Sequence, residues 1–298
     1  MPADSSWQIS EPRKLDFDAP VEELQIRVVN GAVNVVGTDE PTARLEIGEL
    51  DGPPLCVRRE GGRLVVAYED LPWKGFLKWL DRKGWRRGAV VTASVPRGVR
   101  LTVGVVGASA VITRTSGRTD VRGVSGSTTL VGLSGEVRAE TVSGDVETQA
   151  LAGSLRMNSV SGDLTVIDGG GPRVRAESVS GAMILDLGAS AQAADIGLRT
   201  VSGEVAVRLP DPPDVRVEAN TTSGALFSAF DGLRVDGQWG ARRAAGVLGA
   251  GRGSLRATSV SGAVSLLSRP HHDDPDDVLH GARSGGPGGD SPLTGKDL

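Results

Sequence analysis

The stretch Thr115–Val166 reads TSGRTDVRGVSGSTTLVGLSGEVRAETVSGDVETQALAGSLRMNSVSGDLTV and carries a glycine at every ninth position. Apolar residues recur two positions before each glycine and two and four positions after it, with mostly polar residues between them. This alternation is the period-two signature of a half-buried strand. Nine residues are too few for a strand and a helix, so each unit predicts short strand segments joined by a tight corner at Ser-Gly. The glycines of this stretch are Gly117, Gly126, Gly135, Gly144, Gly153 and Gly162.

Stacked units of this kind bury their inward side chains in one continuous column, which is the architecture of a β-solenoid. After Val166 the period lengthens to whole coils, and the extra residues fall on one edge, in Asp168–Pro172, Gly188–Ala194 and Pro210–Asp214. The predicted fold class is all-β: a single-stranded β-solenoid (β-helix) with two-sided coils of about 18–22 residues. At ~4.8 Å per coil, roughly ten to twelve coils give a rod of ~50–55 Å. The predicted corner column, in order, is Gly126, Gly144, Gly162, Gly181, Gly203, Gly224 and Gly262.

The apolar residues on both sides of each corner glycine are expected to point into the core. This expectation includes Val142 and Val160, each two positions before a glycine. An aspartate at either position is therefore expected to unfold the middle coils, since an unpaired charge in a dry core is very unfavourable.

Composition agrees with a thin core between two close walls. Aromatic residues make up only 3% of the 298 residues, while Val, Leu, Ala and Gly are abundant. The net charge of −4 provides no global basic field for nucleic acid. The single cysteine, Cys56, is expected to be a buried, inert thiol. The sequence contains no recognisable secretory signal and no run of the ~20 apolar residues that a membrane span needs, which predicts a cytoplasmic protein.

Departures from the repeat predict the domain organisation. Residues 1–14 are predicted to be a polar tail and 15–268 the repeat domain, with a Trp-rich basic insert at 71–88 and an irregular insert at 227–251. Residues 269–298 are rich in Pro, Gly and Asp and are expected to be disordered.

The tetrad Thr-Val-Ser-Gly at 141–144 has echoes at 159–162, 178–181, 200–203 and 259–262. In these repeats, and in the looser opening coil Val29–Val35, the chain resembles the bacterial "putative adhesin" β-strand-repeat family, the toastrack-like domain of unknown function 4097. The resemblance covers roughly residues 15–268. It implies a β-solenoid whose biochemical role is uncharacterised and which is named adhesin by analogy. Related toastrack domains accompany envelope-stress sensing modules.

Carboxylates that could support polysaccharide cleavage share one column, at Asp145, Asp163 and Glu204. The column is interrupted by Ser and Ala, and the repeat lacks the aromatic residues that stack on sugars, so a solvated surface is the better interpretation. Every histidine lies after Pro270, which leaves the corner serines without a nearby base. The His- and Asp-rich start of that tail is interpreted as an acidic tail in preference to a metal site. We therefore predict no catalytic, cofactor-binding or metal-binding residue.

The insert at 73–87 is the strongest candidate for function. Trp73, Phe76 and Leu80 recur at helical spacing, which predicts one apolar face, and basic residues lie on another. One interpretation is a segment that covers an exposed strand edge. The other is a contact with an acidic partner or an anionic membrane surface. The candidate contact residues are Trp73, Lys74, Phe76, Leu77, Lys78, Trp79, Leu80, Arg82, Lys83, Trp85, Arg86 and Arg87.

Two functions are therefore expected from the sequence. The first is a non-catalytic scaffold that binds a protein or a glycan. The second is a membrane-peripheral sensor or regulator that docks through the insert. A polysaccharide-active enzyme is the least favoured alternative.

Overall fold

A computed structural model describes residues 5–69, 87–191, 193–238 and 240–269. The first half of the described chain forms the strands β1 (Ser5–Ile9), β2 (Arg13–Phe17), β3 (Glu23–Val28), β4 (Asn30–Thr38), β5 (Ala43–Asp51), β6 (Leu55–Glu60), β7 (Arg63–Ala67), β8 (Gly88–Pro96), β9 (Arg100–Val105), β10 (Ser109–Thr113), β11 (Thr119–Arg122), β12 (Thr128–Val131) and β13 (Val137–Glu140). The second half forms β14 (Val146–Gln149), β15 (Leu155–Asn158), β16 (Leu164–Gly169), β17 (Arg173–Glu177), β18 (Met183–Leu187), β19 (Asp195–Thr200), β20 (Val205–Leu209), β21 (Val215–Thr221), β22 (Leu226–Ser228), β23 (Arg234–Gln238), β24 (Ala241–Leu248), β25 (Gly253–Ser259) and β26 (Val264–Ser268). A single 3-10 turn, Ala189–Ala191, completes the regular structure of the described residues.

Successive strands alternate between two sheets through the middle of the chain, which is the two-sided β-solenoid that the repeat predicts. The long sheet has 14 strands in the order β1-β6-β7-β3-β9-β11-β13-β15-β17-β19-β25-β21-β24-β23. The short sheet has 12 strands in the order β2-β5-β8-β4-β10-β12-β14-β16-β18-β20-β26-β22. At ~4.8 Å per strand, the short sheet is about 53 Å long.

The central coils stack in parallel with residues of equivalent position in register. Val146 pairs with Leu164, and Leu164 pairs with Met183, so inward side chains form continuous columns. The positions two and four after each glycine are buried, as predicted: Val137 is 0% exposed and Ala139 1%. Aliphatic side chains dominate this core because the two sheets leave little room between them for rings.

The residue two positions before the glycine lies inside on one edge only, so the inward assignment of Val142 and Val160 is wrong. On the edge that contains Gly135 and Gly153, the preceding leucines Leu133 and Leu151 are 1% and 2% exposed. On the opposite edge Val160 is 50% exposed and Val142 is half-buried. We call these two edges the leucine edge and the valine edge.

The residue three positions before the glycine accounts for the difference between the edges. On the leucine edge this residue has a positive φ, as at Arg114, Gly132, Ala150 and Asp168. Such a conformation turns the chain so that the next side chain enters the core. On the valine edge, from Thr141 onward, the same position holds a serine or threonine that caps the corner, and the following valine is at the surface.

At the carboxyl end the order of coils in space differs from their order in sequence. Strands β25 and β26 insert between the coil of β19 and β20 and the coil of β21 and β22. A Cβ on Gly262 would lie 1.8 Å from the Gly203 carbonyl oxygen, and one on Gly224 would lie 2.1 Å from that of Gly262. The predicted order of Gly224 and Gly262 in the corner column is therefore reversed.

Antiparallel strands close both sheets at the amino end of the stack and the long sheet at its carboxyl end. Strands β1 and β2 pair antiparallel with β6 and β5, so residues 5–14 belong to the fold and are not a polar tail. Ile9 and Phe17 are buried, and the Trp7 ring meets Phe17 edge to face at 5.8 Å. Cys56 is buried as predicted. At the other end, residues 227–251 are not irregular, because β24 pairs antiparallel with both β21 and β23.

Candidate functional site

Each residue of the Ser/Thr-Val-Ser-Gly tetrad has a separate physical role at the valine edge. In Ser159–Gly162, the Gly162 amide donates to the Ser159 hydroxyl oxygen at 2.8 Å. The Ser161 amide and hydroxyl both donate to the Val142 carbonyl of the preceding coil, at 2.8 and 3.3 Å. A Cβ on Gly162 would lie 2.1 Å from the Gly144 carbonyl oxygen, so only glycine fits the stack. The valine is the one member whose side chain makes no polar contact.

These valines form a solvent-exposed apolar stripe. Val160 is 50% exposed, Val179 49%, and Val201 and Val260 47% each. In spatial order the stripe consists of Val124, Val142, Val160, Val179, Val201 and Val260. In the last coil Thr222 occupies the same place, and Gly224 still donates to the Thr221 hydroxyl at 3.0 Å. The corner therefore forms without a valine.

The polar groups of this edge hold the coils together. The Asp163 amide donates to the Asp145 carboxylate at 3.0 Å, and the Ala182 amide donates to the Asp163 carboxylate at 2.7 Å. These carboxylates act as acceptors for backbone amides one coil away. Such a role explains an aspartate after the glycine without any catalytic chemistry.

All but one of the candidate contact residues predicted in the insert lie outside the described residues; the exception is Arg87. The Arg87 carbonyl accepts from the Asn30 amide at 3.1 Å, and its guanidinium lies 5.7 Å from the centre of the Tyr68 ring. Strands β7 and β8 flank the insert, and they pair with β3 and β4 of the adjacent coil. The described ends of β7 and β8 on either side of the insert therefore lie at the valine edge.

A second candidate site lies on the outer face of the long sheet. At one register the strands β13, β15, β17, β19 and β25 present Arg138, Arg156, Arg175, Gly197 and Arg256. Around Gly197 the outer face of the sheet holds a cleft of about 330 Å³. We call it the arginine cleft; its polar lining comprises Arg156, Asn158, Arg175, Glu177, Arg199, Arg256 and Thr258.

A third polar cluster joins Arg269, the residue after β26, to strands β16, β18 and β20 of the short sheet. The carboxylate of Asp186, whose side chain is 14% exposed, accepts two hydrogen bonds from the Arg208 guanidinium, one of them at 2.8 Å. Arg269 lies 3.9 Å from the same carboxylate and 3.2 Å from that of Asp168. The Arg208 hydrogen bonds lower the pKa of Asp186, against a smaller opposing effect of burial. Sequence reasoning did not anticipate this cluster.

We expect Asp186→Asn to destabilise the protein in a pH-dependent way. Because the folded pKa is depressed, the charged pair stabilises the protein above the unfolded pKa of about 3.9, and this contribution is lost as pH falls through the folded value. At pH 7 the free energy of unfolding of the variant should be about 1 kcal/mol lower than that of wild type, a modest loss because Arg208 is partly exposed. This difference, or gap, between the two proteins should disappear below pH 4. Urea unfolding at a series of pH values measures the gap.

A matched control is Asp16→Asn, since Asp16 pairs with Arg44 in full solvent, with side chains 63% and 66% exposed. That variant should change stability by only a few tenths of a kcal/mol. A gap for Asp186→Asn that stays constant from pH 7 to pH 2 would contradict the role assigned to the pair.

Comparison with family models gives one match, described as Toastrack DUF4097, over residues 101–267, which is more than half of the chain. This chain belongs to the Toastrack DUF4097 family. Comparison of this Toastrack chain with curated protein sequences finds no match. The family assignment agrees with the resemblance seen in the tetrads.

Two solved structures are similar to this Toastrack chain. One is described as a putative cell adhesion protein from Clostridium sporogenes, at 10% identity, covering 87% of this chain and 100% of the other, with a TM-score of 0.28. The other is described as a putative lipid binding protein from Parabacteroides distasonis, at 13% identity, covering 88% and 98%, with a TM-score of 0.34.

Two features are absent from the part of the Toastrack chain that the structure describes. Within those ranges no three His, Cys, Asp or Glu side chains lie close enough together to hold a metal ion. In the same ranges, no helix is long and apolar enough to cross a bilayer.

The sequence contains a signal for part of the arginine cleft, which the nine-residue glycine pattern does not include. Arg138, Arg156 and Arg175 recur at the spacing of one coil, in the outward position of the strand. The fourth arginine, Arg256, joins this row only because β25 inserts next to β19. That insertion is a tertiary feature, so the complete cleft could not be assembled from spacing alone.

Proposed function

We propose that this Toastrack chain is a non-catalytic binding scaffold that contacts a protein partner along the valine edge. The observation that carries the proposal is the exposed stripe of valines, four of them 47–50% exposed. Apolar surface that repeats in a row without being required by the local backbone is typical of interaction sites. A protein partner suits the stripe better than a glycan, since it can supply apolar side chains at a matching spacing.

The rigidity of the edge supports this proposal. From Val142 onward each valine is preceded by a capping hydroxyl. Each is followed by a serine whose hydroxyl bonds to the neighbouring coil, as in Ser161 to Val142 and Ser180 to Val160. The valines are thus presented at fixed intervals of ~4.8 Å, and little ordering is required when a partner binds. Burying the exposed half of one of the four most exposed valines would contribute ~1 kcal/mol to the free energy of binding.

Membrane docking through residues 73–87 stays a prediction, because those residues lie outside the described ranges apart from Arg87. The described part of the chain adds one relevant fact: the ends of β7 and β8 that flank the insert lie at the valine edge. A membrane-peripheral role through the insert would therefore be sited next to the proposed protein contact.

Site-specific photo-crosslinking tests the proposal. A benzophenone amino acid at Val179, on the valine edge, should give one defined protein adduct in cells that express the full chain. The same residue at Ile184, which is 51% exposed on the outer face of the short sheet, serves as the control. The purified partner should then bind Val160→Lys/Val201→Lys at least tenfold more weakly than wild type. Adducts that form equally at Ile184, or an affinity unchanged by the two lysines, would refute the proposal.

A further inference from the structure

We propose that the arginine cleft is a binding site for a carboxylate-bearing polysaccharide, a chain of uronic acid sugars. The site is separate from the valine edge and rests on different residues. Its residues lie on strands β15, β17, β19 and β25 of the long sheet, and their side chains face solvent on the outer surface.

The cleft carries a local excess of positive charge in a protein whose net charge is −4. Four guanidinium groups line it, those of Arg156, Arg175, Arg199 and Arg256, against the single carboxylate of Glu177. The positive electrostatic potential of such a cluster attracts an anion locally, even when the net charge of the whole molecule is negative.

Ion pairs with the protein's own carboxylates leave this charge only partly neutralised. Asp195 is shared between Arg175, at 2.5 Å, and Arg173, at 3.7 Å. Arg256 lies 3.9 Å from Glu218, which bonds more closely to Arg243 at 2.9 Å. Arg199 is 3.6 Å from Glu177.

Arg156 makes no ion pair with any residue in the described ranges, and it is exposed. The long pairs of Arg199 and Arg256 exchange readily for a ligand carboxylate, whereas Arg175 stays hydrogen-bonded to Asp195. Arg156, Arg199 and Arg256 are therefore available to an incoming anion.

Gly197 leaves room for the Arg175 side chain on the outer face of the sheet. A Cβ at this position would lie 2.4 Å from Arg175 Nη1 and 3.1 Å from its Cδ, so the Arg175 side chain lies across the glycine. Arg175 and Arg256 stand on the strands at either side of Gly197, ~9.6 Å apart. A ligand that runs along the solenoid axis would meet arginines at intervals, as a polymer with repeated carboxylates requires.

The neutral and acidic lining favours a sugar acid over other anions. Guanidinium forks pair bidentately with planar carboxylates. Asn158 and Thr258 offer amide and hydroxyl groups, and Glu177 can accept hydrogen bonds from sugar hydroxyls while repelling dense phosphate or sulfate. Single-stranded nucleic acid is bound by stacking on aromatic rings. No aromatic residue lines the cleft among the described residues.

Isothermal titration calorimetry of the full chain at low salt, with a hexamer of galacturonic acid as the probe, tests the inference. We expect saturable binding that weakens as salt rises, and no binding of the fully methyl-esterified hexamer. Arg156→Gln/Arg256→Gln should bind at least tenfold more weakly. Both side chains are exposed, so the fold should be retained, which circular dichroism checks.

The matched control is Arg13→Gln/Arg100→Gln. Both residues are exposed, and Arg100 lies on the same sheet three strands from Arg156. The control should leave the affinity unchanged. Absence of binding by the hexamer, equal binding of its methyl ester, or equal weakening by the control variant would overturn the inference.

Further titrations distinguish binding of the uronate from binding of other anions. A sulfated hexasaccharide, an oligothymidylate and phosphatidylglycerol vesicles are titrated under the same conditions. Tighter binding of any of these than of the uronate hexamer, with dependence on Arg156 and Arg256, would overturn the uronate assignment. Vesicle binding that is lost on deletion of residues 71–88 and is unaffected by the cleft variants would belong to the insert and leave the cleft assignment intact.

Discussion

Leu164→Asp is expected to unfold the central coils, whereas Val160→Asp, four residues earlier, should leave them folded. Leu164 is 1% exposed and lies in a column between Val146 and Met183. An unpaired carboxylate there must be buried or the coils must separate, at a cost of about 4 kcal/mol or more. Val160 is 50% exposed, so a charge at that position remains hydrated.

Urea unfolding followed by circular dichroism measures both variants. Val160→Asp should shift the free energy of unfolding by less than ~0.5 kcal/mol, the size typical of surface changes. Two results would contradict the description of the valine edge: a wild-type midpoint for Leu164→Asp, or similar losses in the two variants.

Gly162→Ala is expected to cost about 3 kcal/mol, although alanine adds only one methyl group. The new Cβ would lie 2.1 Å from the Gly144 carbonyl oxygen and 2.8 Å from its carbon. Both atoms belong to backbone that is fixed by the stack, so relief requires the coils to move apart and lose hydrogen bonds such as Ser161 to Val142.

Gly98→Ala is the matched control, since a Cβ at Gly98 meets nothing within 4 Å and Gly98 is not among the residues with positive φ. This variant should be neutral or slightly stabilising, by up to ~1 kcal/mol, because alanine restricts the unfolded chain. Thermal unfolding of the two variants side by side provides the comparison. A cost for Gly162→Ala no larger than the effect of Gly98→Ala would show that the corner column does not require glycine.

The direction of the valines illustrates a limit of sequence reasoning. Leu133 and Val142 occupy the same place relative to a Ser-Gly corner, and an apolar residue in a repeat is expected to point inward. The residue one position earlier decides the outcome. Gly132 has φ +65° and turns Leu133 into the core, whereas Thr141 caps the Gly144 amide at 2.9 Å and leaves Val142 at the surface. The recurring serine or threonine at this place on the valine edge was visible in the sequence from Thr141 onward, but its meaning depends on backbone geometry.

The arginine cleft could be predicted from the sequence only in part, for a related reason. Outward positions on a strand are predictable from the period of two, so Arg156 and Arg175 could be placed on one face. Their neighbour across Gly197 could not, since Arg256 lies in a coil that is remote in sequence. The insert at 71–88 was found from its departure from the repeat, its composition and its helical spacing, and its contact with a partner stays a prediction.

By itself the sequence determined the β-solenoid, the two alternating sheets and the corner glycines, because a period of nine residues with alternating polarity leaves one compact way to bury its apolar positions. Only the tertiary structure decided the order of the coils at each end. A strand forms the same pattern of backbone hydrogen bonds with any coil that it pairs with in parallel. Local pairing therefore does not decide whether β25 lies beside β19 or beyond β21. The antiparallel strands that cover the open edges, β24 beside β21 and β1 beside β6, fix the arrangement. An uncovered edge would leave backbone groups unpaired.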